Sequence, residues 1–339
     1  MSQRVVALIA LAAFVTLVVS ALLTGGRMGL ADSGPQRISF QIATGSSEGV
    51  YFPVGQAMAG LVSHPLGVGR CDTAMVCGPV GVILSARTSE GAADNLRSVN
   101  AGAVDSGFAE GDIIAAAVKG EGAFRRPASH LRVIAALFPE EAHLVVAADS
   151  DIQSVADLRG KRVLIGAPSS GGLSRARAIL AAFRVRPHEL VSEEMPSQLL
   201  RDGKIDAYFA ISGVPLDSVK DLIAHHVARL APIDGGGRDR LIRMMPQLER
   251  AVIGANAYPG QPAVETVATR AWWVTRDSES DPLIYGLTRA LFNPANHAGL
   301  AASHPSAAAI SLDSAAVNPP APLHPGAARF YREKGKLPA

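Results

Sequence analysis

The chain alternates short apolar, β-branched segments with longer helical segments, and turns rich in glycine and serine separate them. Apolar and polar positions alternate at residues 38–42, and a helical pattern follows over residues 54–62. The same order recurs downstream, where a strand pattern at 161–165 and a Gly/Ser turn lead into an alanine-rich helical stretch at 173–183. Strands that alternate with helices in this way are typical of βα units and a mainly parallel sheet, so we predict an α/β fold.

Two further predicted strands, at residues 104–108 and 205–209, also end in small or polar residues and lead into helical patterns. In open α/β sheets, ligands bind beyond the carboxyl ends of the strands. Two of these four strand ends lie in each half of the chain, so we predict two lobes that face each other across a cleft. Lobe 1 would comprise residues 32–138 and 262–339, and lobe 2 residues 139–261.

The N-terminus has the pattern of a secretory signal peptide. Arg4 precedes an uncharged, apolar run at residues 5–23, and small residues occupy positions 29 and 31, three and one before Asp32. A basic start, an apolar core and small residues before a cleavage point define such peptides. We therefore predict a signal peptide over residues 1–31 and a protein exported to the periplasm. An uncleaved anchor helix is the alternative, since this run of 19 residues, apolar except for Thr16 and Ser20, nearly spans a bilayer.

Charge and motifs exclude several classes of function. Both arginines of the first 31 residues lie in the predicted signal peptide, so the rest of the chain has 30 basic and 30 acidic residues. A balanced chain with 5% aromatic residues has no electrostatic footprint for nucleic acid. Walker A, G-x-G-x-x-G and H-E-x-x-H motifs do not occur in the sequence. We predict no cofactor, no metal and no enzymatic activity.

One pattern argues for an enzyme. Residues 45–49 fit the G-x-S-x-G pattern of a nucleophile elbow. They follow the first predicted strand, however, where no earlier sheet would hold the elbow. A secreted serine hydrolase is therefore an alternative that we do not favour.

The two cysteines, Cys71 and Cys77, have five residues between them. A close pair in an exported protein is compatible with a disulfide, which we favour. Unpaired thiols and a metal site shared with His64 are the alternatives, and the neighbourhood has few further ligands for a metal.

Ser, Thr and Gly cluster in the turns at residues 44–47 and 169–171, each of which precedes a predicted helix. Backbone N–H groups and the positive end of a helix dipole there can bind an anion, although these residue types also form ordinary turns and N-caps. Neither turn contains Arg or Lys, so we predict that backbone N–H groups and hydroxyls hold a ligand carboxylate.

Charged side chains near these turns are further candidates. Glu110 and Asp112 follow a predicted strand end, where a carboxylate could receive a ligand amino group, cap a helix or join the lobes. Four arginines could form a bidentate pair with a ligand carboxylate, although such residues are more often solvated. They are Arg87, Arg97, Arg175 and Arg177.

Seven segments, in this order, extend along nearly the whole predicted mature chain. They are TGSSEGVYFPVG at 44–55, DNL at 94–96, FPE with HLVV at 138–146, DLRGKRV at 157–163, GKIDAYF at 203–209, LHPGA at 323–327 and FY at 330–331. In these segments the chain resembles the TAXI family of TRAP transporter solute-binding proteins.

The resemblance implies a type II periplasmic-binding-protein fold with a hinge between two lobes. It implies a monomer that binds a small organic anion or amino acid, such as glutamate or a 2-oxoglutarate-like compound, for a TRAP membrane subunit driven by an ion gradient. The family's site positions correspond to Thr44, Gly45, Ser46, Ser47, Tyr51, Asn95, Ser169, Ser170, Gly171 and Gly213.

The sequence departs from the family pattern in two places. It has SEGA at residues 89–92, where a family hydroxyl is lost, and Glu110-Gly-Asp112 where the family usually has Gln-Ser-Asp. A carboxylate in place of a neutral amide puts the identity of the ligand in question. A receptor for an ABC importer, which shares the fold, and an anchored periplasmic sensor are the alternatives.

Overall fold

The computed structural model describes residues 37–47, 49–72, 75–166, 171–192 and 194–338. The predicted signal peptide lies outside these residues. In the described part of the chain, no helix is both long and apolar enough to cross a membrane.

Ten strands of the described residues belong to one sheet, and helices flank it. The strands are β1 Ile38–Ala43, β2 Val82–Arg87, β3 Ser106–Glu110, β4 Leu131–Ala147, β5 Arg162–Leu164, β6 His188–Leu190, β7 Ala207–Ser212, β8 Ala228–Ala231, β9 Glu249–Ile253 and β10 Val264–Arg276. The α-helices are α1 Tyr51–Val62, α2 Ala92–Ala101, α3 Gly111–Lys119, α4 Gly171–Phe183, α5 Pro196–Arg201, α6 Asp217–Ala224, α7 Gly235–Met244, α8 Asp281–Leu291, α9 Pro294–Ser303 and α10 Pro325–Glu333. The predicted mixed α/β class is confirmed.

The strand order is β2-β1-β3-β10-β4-β7-β5-β6, with β8 added on β4 and β9 on β10. The outer strands pair in parallel, as the βα pattern predicts: β1 with β2 and β3, and β5 with β6 and β7. The central strands β4 and β10 are antiparallel to each other and to their other partners. The sheet is thus parallel on both flanks and antiparallel in the middle.

The two central strands are the longest elements of the sheet. β4 has 17 residues, mostly apolar and buried, so it extends about 55 Å at the usual rise per residue. Its first part, residues 131–141, pairs with β10, and residues 141–146 pair with β7. β10 pairs with β9 at residues 264–268 and with β3 at 271–275. β4 and β10 therefore each pair with strands from both halves of the sheet.

Buried apolar side chains form two sets of clusters along these strands. One set draws on residues up to 138 and from 271 onward, and the other on residues 142–267. The sets meet where β4 and β10 cross the middle of the sheet. The lobe boundaries at 138/139 and 261/262 stay a prediction, and the cores divide within a few residues of them.

The C-terminal segment packs on the first set of clusters. Phe330 and Tyr331 of α10 are buried, and the Tyr331 hydroxyl donates to the carbonyl of Ile134, 2.8 Å away. Nearer the N-terminus, Cys71 and Cys77 form a disulfide with their Sγ atoms 2.14 Å apart. Both cysteines are buried, next to the start of β2.

Candidate functional site

Strands β1 and β3 pair in parallel, and a buried side chain also joins them. Asn95 of α2 donates from Nδ2 to the carbonyls of Thr44, at 2.7 Å, and Phe108, at 2.8 Å. Thr44 is also buried, and its hydroxyl donates to the carbonyl of Arg87. The Asn95 amide and the Thr44 hydroxyl thus bind backbone carbonyls of neighbouring segments. Asn95 Oδ1 has no partner among the described residues.

The turn after β1 continues from this anchor. Gly45 is buried, whereas Ser46 and Ser47 are exposed, and Gly49 donates its N–H to the Ser46 carbonyl. Ser47 lines a pocket of about 290 Å³ whose opposite wall is the start of α6. This pocket therefore lies between parts of the chain that belong to different core sets.

Two other residues of this pocket, Asp217 and His304, would complete a hydrolase triad with Ser47. Both ring nitrogens of His304 already have backbone partners, however. Nδ1 accepts the N–H of Ser306, and Nε2 donates to the carbonyl of Pro215. His304 is therefore not placed to act as a base for Ser47, and the G-x-S-x-G pattern gains no support.

A buried charged centre, made of Tyr51, Glu110, Asp112, Glu140 and Arg175, lies where the core sets meet. The Arg175 side chain is 4% exposed. Its Nε and Nη2 donate to Asp112 at 2.5 and 2.9 Å, and its Nη1 donates to Glu110 Oε1 at 2.9 Å. Burial lowers the pKa of Arg175, but the charges of Asp112 and Glu110 outweigh it and raise that pKa overall. Arg175 thus joins α4 to the junction of β3 and α3.

The second half of the centre is a tyrosine–carboxyl pair. Tyr51, the first residue of α1, donates its hydroxyl to Glu140 Oε2 at 2.8 Å, and its ring packs edge-on against Phe108 and Phe138. Glu140 is 3% exposed. Burial, and after it the charge of Glu110, raises the pKa of Glu140 well above its usual value, and the same two causes raise the pKa of Tyr51. Further negative charge next to Glu140 and Tyr51 would therefore be unfavourable.

Strand register places the two glutamates beside β10, one on each of its neighbouring strands. Glu140 of β4 lies opposite Thr269 of β10, and Glu110 of β3 lies opposite Ala271. Cross-strand partners share a face, so Glu140 and Thr269 point the same way, and a register shift between β10 and β4 falls at residues 270–272. Glu140, Thr269 and Arg175 also line a cavity of about 10 Å³ that is otherwise mainly apolar. That volume is close to the space of one water molecule.

Gly213 and the turn before α4 complete the predicted set. Gly213 is buried, and a Cβ there would overlap Ser306 and press on Val50. It therefore serves close packing between the end of β7 and the first core set. Gly171 begins α4, while Ser169 and Ser170 lie outside the described residues.

Only one of the four candidate arginines reaches the charged centre. Arg87 bonds Gln41, Arg97 lies over the Phe124 ring, and Arg177 pairs with Glu189 at 3.4 Å with its side chain 56% exposed. These three arginines point to partners outside the centre. In the part of the chain that the structure describes, no group of three or more His, Cys, Asp or Glu side chains could hold a metal ion.

Residue-by-residue reasoning did not single out Glu140 or Thr269. Glu140 falls within a motif already matched at residues 138–140, and it interrupts a long apolar strand. A carboxylate inside such a run is costly to bury, so it marks either a function or a paired charge. That interruption is the signal that could have identified it. Thr269 has no comparable signal.

Solved structures with a similar fold include a periplasmic binding protein and a solute binding protein. MatC from Rhodopseudomonas palustris, with bound malate, has a TM-score of 0.50 at 12% identity, over 88% of this chain and 99% of that one. The periplasmic binding protein BugD has a TM-score of 0.50 at 8% identity, over 89% and 95%. A TctC solute binding protein from Polaromonas has 0.48 at 14% identity, over 80% and 89%.

At these identities the likeness establishes the two-lobed fold of periplasmic binding proteins and nothing finer. A family model of the NMT1-like family matches residues 42–335, which include every described residue of the charged centre. The chain therefore belongs to the NMT1-like family.

Proposed function

We propose that this chain is an extracytoplasmic solute receptor that captures a small organic acid between its two lobes and passes it to the membrane subunits of a transporter. The observation that carries the proposal is the charged centre. Arg175 comes from one core set, and Glu110 and Asp112 come from the other, so the centre forms only when the two sets are together. A small polar solute bound there would be enclosed by both lobes, and binding would favour their closed arrangement.

The finer assignment is an ion-gradient-driven TRAP transporter with a receptor of the TAXI type. Its support is the series of motifs along the chain, since the fold alone is shared with receptors of ABC importers. Malate in MatC is a precedent for a small carboxylate on this fold. In this arrangement the N–H groups and hydroxyls of the turn at residues 44–47 hold a solute carboxylate, and the charged centre holds its other polar groups.

Periplasmic export is part of the proposal and has its own test. Protein recovered from the periplasm should have an intact mass that begins at or near Asp32. A mass that retains the apolar run at residues 5–23 would show an anchored protein and favour a sensor over a freely diffusing receptor.

The receptor function can be tested with two arginines of one helix. Small carboxylates and amino acids would be screened by thermal shift, and the hits measured by calorimetry. Arg175→Lys should weaken every hit by about tenfold or more, because a lysine cannot reproduce the bidentate contact with Asp112. Arg177→Lys, on the exposed side of α4, is the matched control and should leave affinity unchanged. Failure of all probes to stabilise the protein would refute the proposal, as would equal effects of the two variants.

A further inference from the structure

We propose that the charged centre recognises a protonated amino group, so that the receptor prefers an amino acid to the 2-oxo acid of the same carbon skeleton. This inference rests on the proposed receptor function and specifies its solute class. It follows from the count of charges and of unused hydrogen-bonding atoms around Glu110, Glu140 and Thr269.

The first observation is an imbalance of charge. Two carboxylates pair with one guanidinium, and the contacts of Arg175 use both oxygens of Asp112 but only one oxygen of Glu110. The other oxygen, Glu110 Oε2, is buried and has no partner among the described residues. A buried carboxylate oxygen without a donor is unfavourable, so a cationic donor at this point would be stabilised.

The second observation is independent of the acidic groups. The Thr269 hydroxyl is buried, with the residue 1% exposed, and it too has no partner in the described part of the chain. It lines the same small cavity as Glu140 and Arg175. A hydroxyl oxygen there is one more acceptor directed into the centre.

An ammonium group matches these acceptors. It has three N–H donors. Glu110 pairs with Arg175, and Arg175 lines one cavity with Glu140 and Thr269, so the unused Glu110 oxygen, the Glu140 carboxyl group and the Thr269 hydroxyl all lie around one guanidinium. A 2-oxo group has acceptors only, so it would face the unused Glu110 oxygen without a donor between them. The difference is largest at Glu110, because Glu140 already accepts from the Tyr51 hydroxyl.

The test uses pairs of probes that differ only at this group: L-glutamate and 2-oxoglutarate, L-leucine and 4-methyl-2-oxopentanoate, and L-alanine and pyruvate. Calorimetry on the wild-type protein should show that the amino acid of any pair that binds is favoured by about tenfold or more, the typical worth of a charge-assisted hydrogen bond. Glu110→Gln keeps the shape and removes the charge, and should abolish this preference. Glu189→Gln, at the exposed partner of Arg177, is the matched control and should retain it.

The outcomes separate this inference from the receptor function. Tighter or equal binding of the 2-oxo acid in every binding pair would overturn the inference and leave the receptor intact, and so would a Glu110→Gln variant with an unchanged preference. If no probe of either series binds, the receptor function fails and the inference with it. Should Glu110→Gln not fold, Thr269→Val is the second variant to measure. It should weaken the binding of amino acids selectively. Equal losses of affinity for amino acids and for 2-oxo acids would contradict the inference.

Discussion

Removal of the Arg175 guanidinium should destabilise the protein far more than removal of the Arg177 guanidinium on the same helix. In Arg175→Met the apolar stem is retained, but Glu110 and Asp112 lose their cation while their side chains stay 13% and 7% exposed. Breaking a buried ion pair from one side costs about 3–5 kcal/mol, because the remaining charges are left unpaired. Since both acids keep a little contact with water, we expect a loss of about 3 kcal/mol in the free energy of unfolding.

Urea unfolding, followed by the fluorescence of the buried Trp272 and Trp273, would measure this loss. Arg177→Met, two positions along the same helix, is the control and should cost less than about 1 kcal/mol, as is usual for an exposed ion pair. The double variant Arg175→Met/Asp112→Asn should recover part of the loss, because one stranded charge is removed. A loss below about 1 kcal/mol for Arg175→Met, or one equal to that of Arg177→Met, would refute the view that this ion pair is held away from water.

Three further predictions concern other parts of the fold. Burial lowers the pKa of His143 from 6.5 to about 4, so stability present above pH 6.5 should fall by about 3 kcal/mol as the pH drops toward 4; urea unfolding should show this, and His143→Gln should flatten the slope. Loss of the Cys71–Cys77 disulfide, which closes a short loop, should cost about 2 kcal/mol, and calorimetry should show unchanged solute affinity in Cys71→Ser/Cys77→Ser; a large loss of affinity would tie the loop to the site. Gly213→Val should weaken solute binding measured by calorimetry, because its side chain would overlap Ser306 where the core sets meet. A lower melting temperature with unchanged solute affinity would contradict this.

Local patterns in the sequence were sufficient for the outer parts of the fold. Alternation at residues 38–42 predicts β1, and β5 with α4 follows from the strand pattern and the alanine-rich run after it. These elements are predictable because period-2 and period-3.6 patterns arise from local geometry. The turn after β1 was predicted for the same reason, since glycine and serine have local conformational roles.

The long central strands were harder to predict. The sequence indicated lobe boundaries at 138/139 and 261/262 but not that two long strands, β4 and β10, run unbroken across the middle of the sheet. In a buried strand of continuous apolar residues, the local sequence does not indicate the position at which one neighbouring strand ends and the next begins. That position is set by which strands lie beside the buried strand, and those come from segments more than 60 residues away.

The charged centre was decided by tertiary structure almost entirely. Sequence reasoning placed Glu110 and Asp112 at a strand end and ranked Arg175 with three other arginines, with no means of choosing among them. Arg175 is 63 residues from Asp112 along the chain, and only the folded chain brings them together. The sequence by itself determined which residues could carry charge at the strand ends. Which charges are buried, which cation neutralises them and which acceptors stay unused depend on distances between distant segments, because electrostatic energies in the interior depend on separation and loss of water.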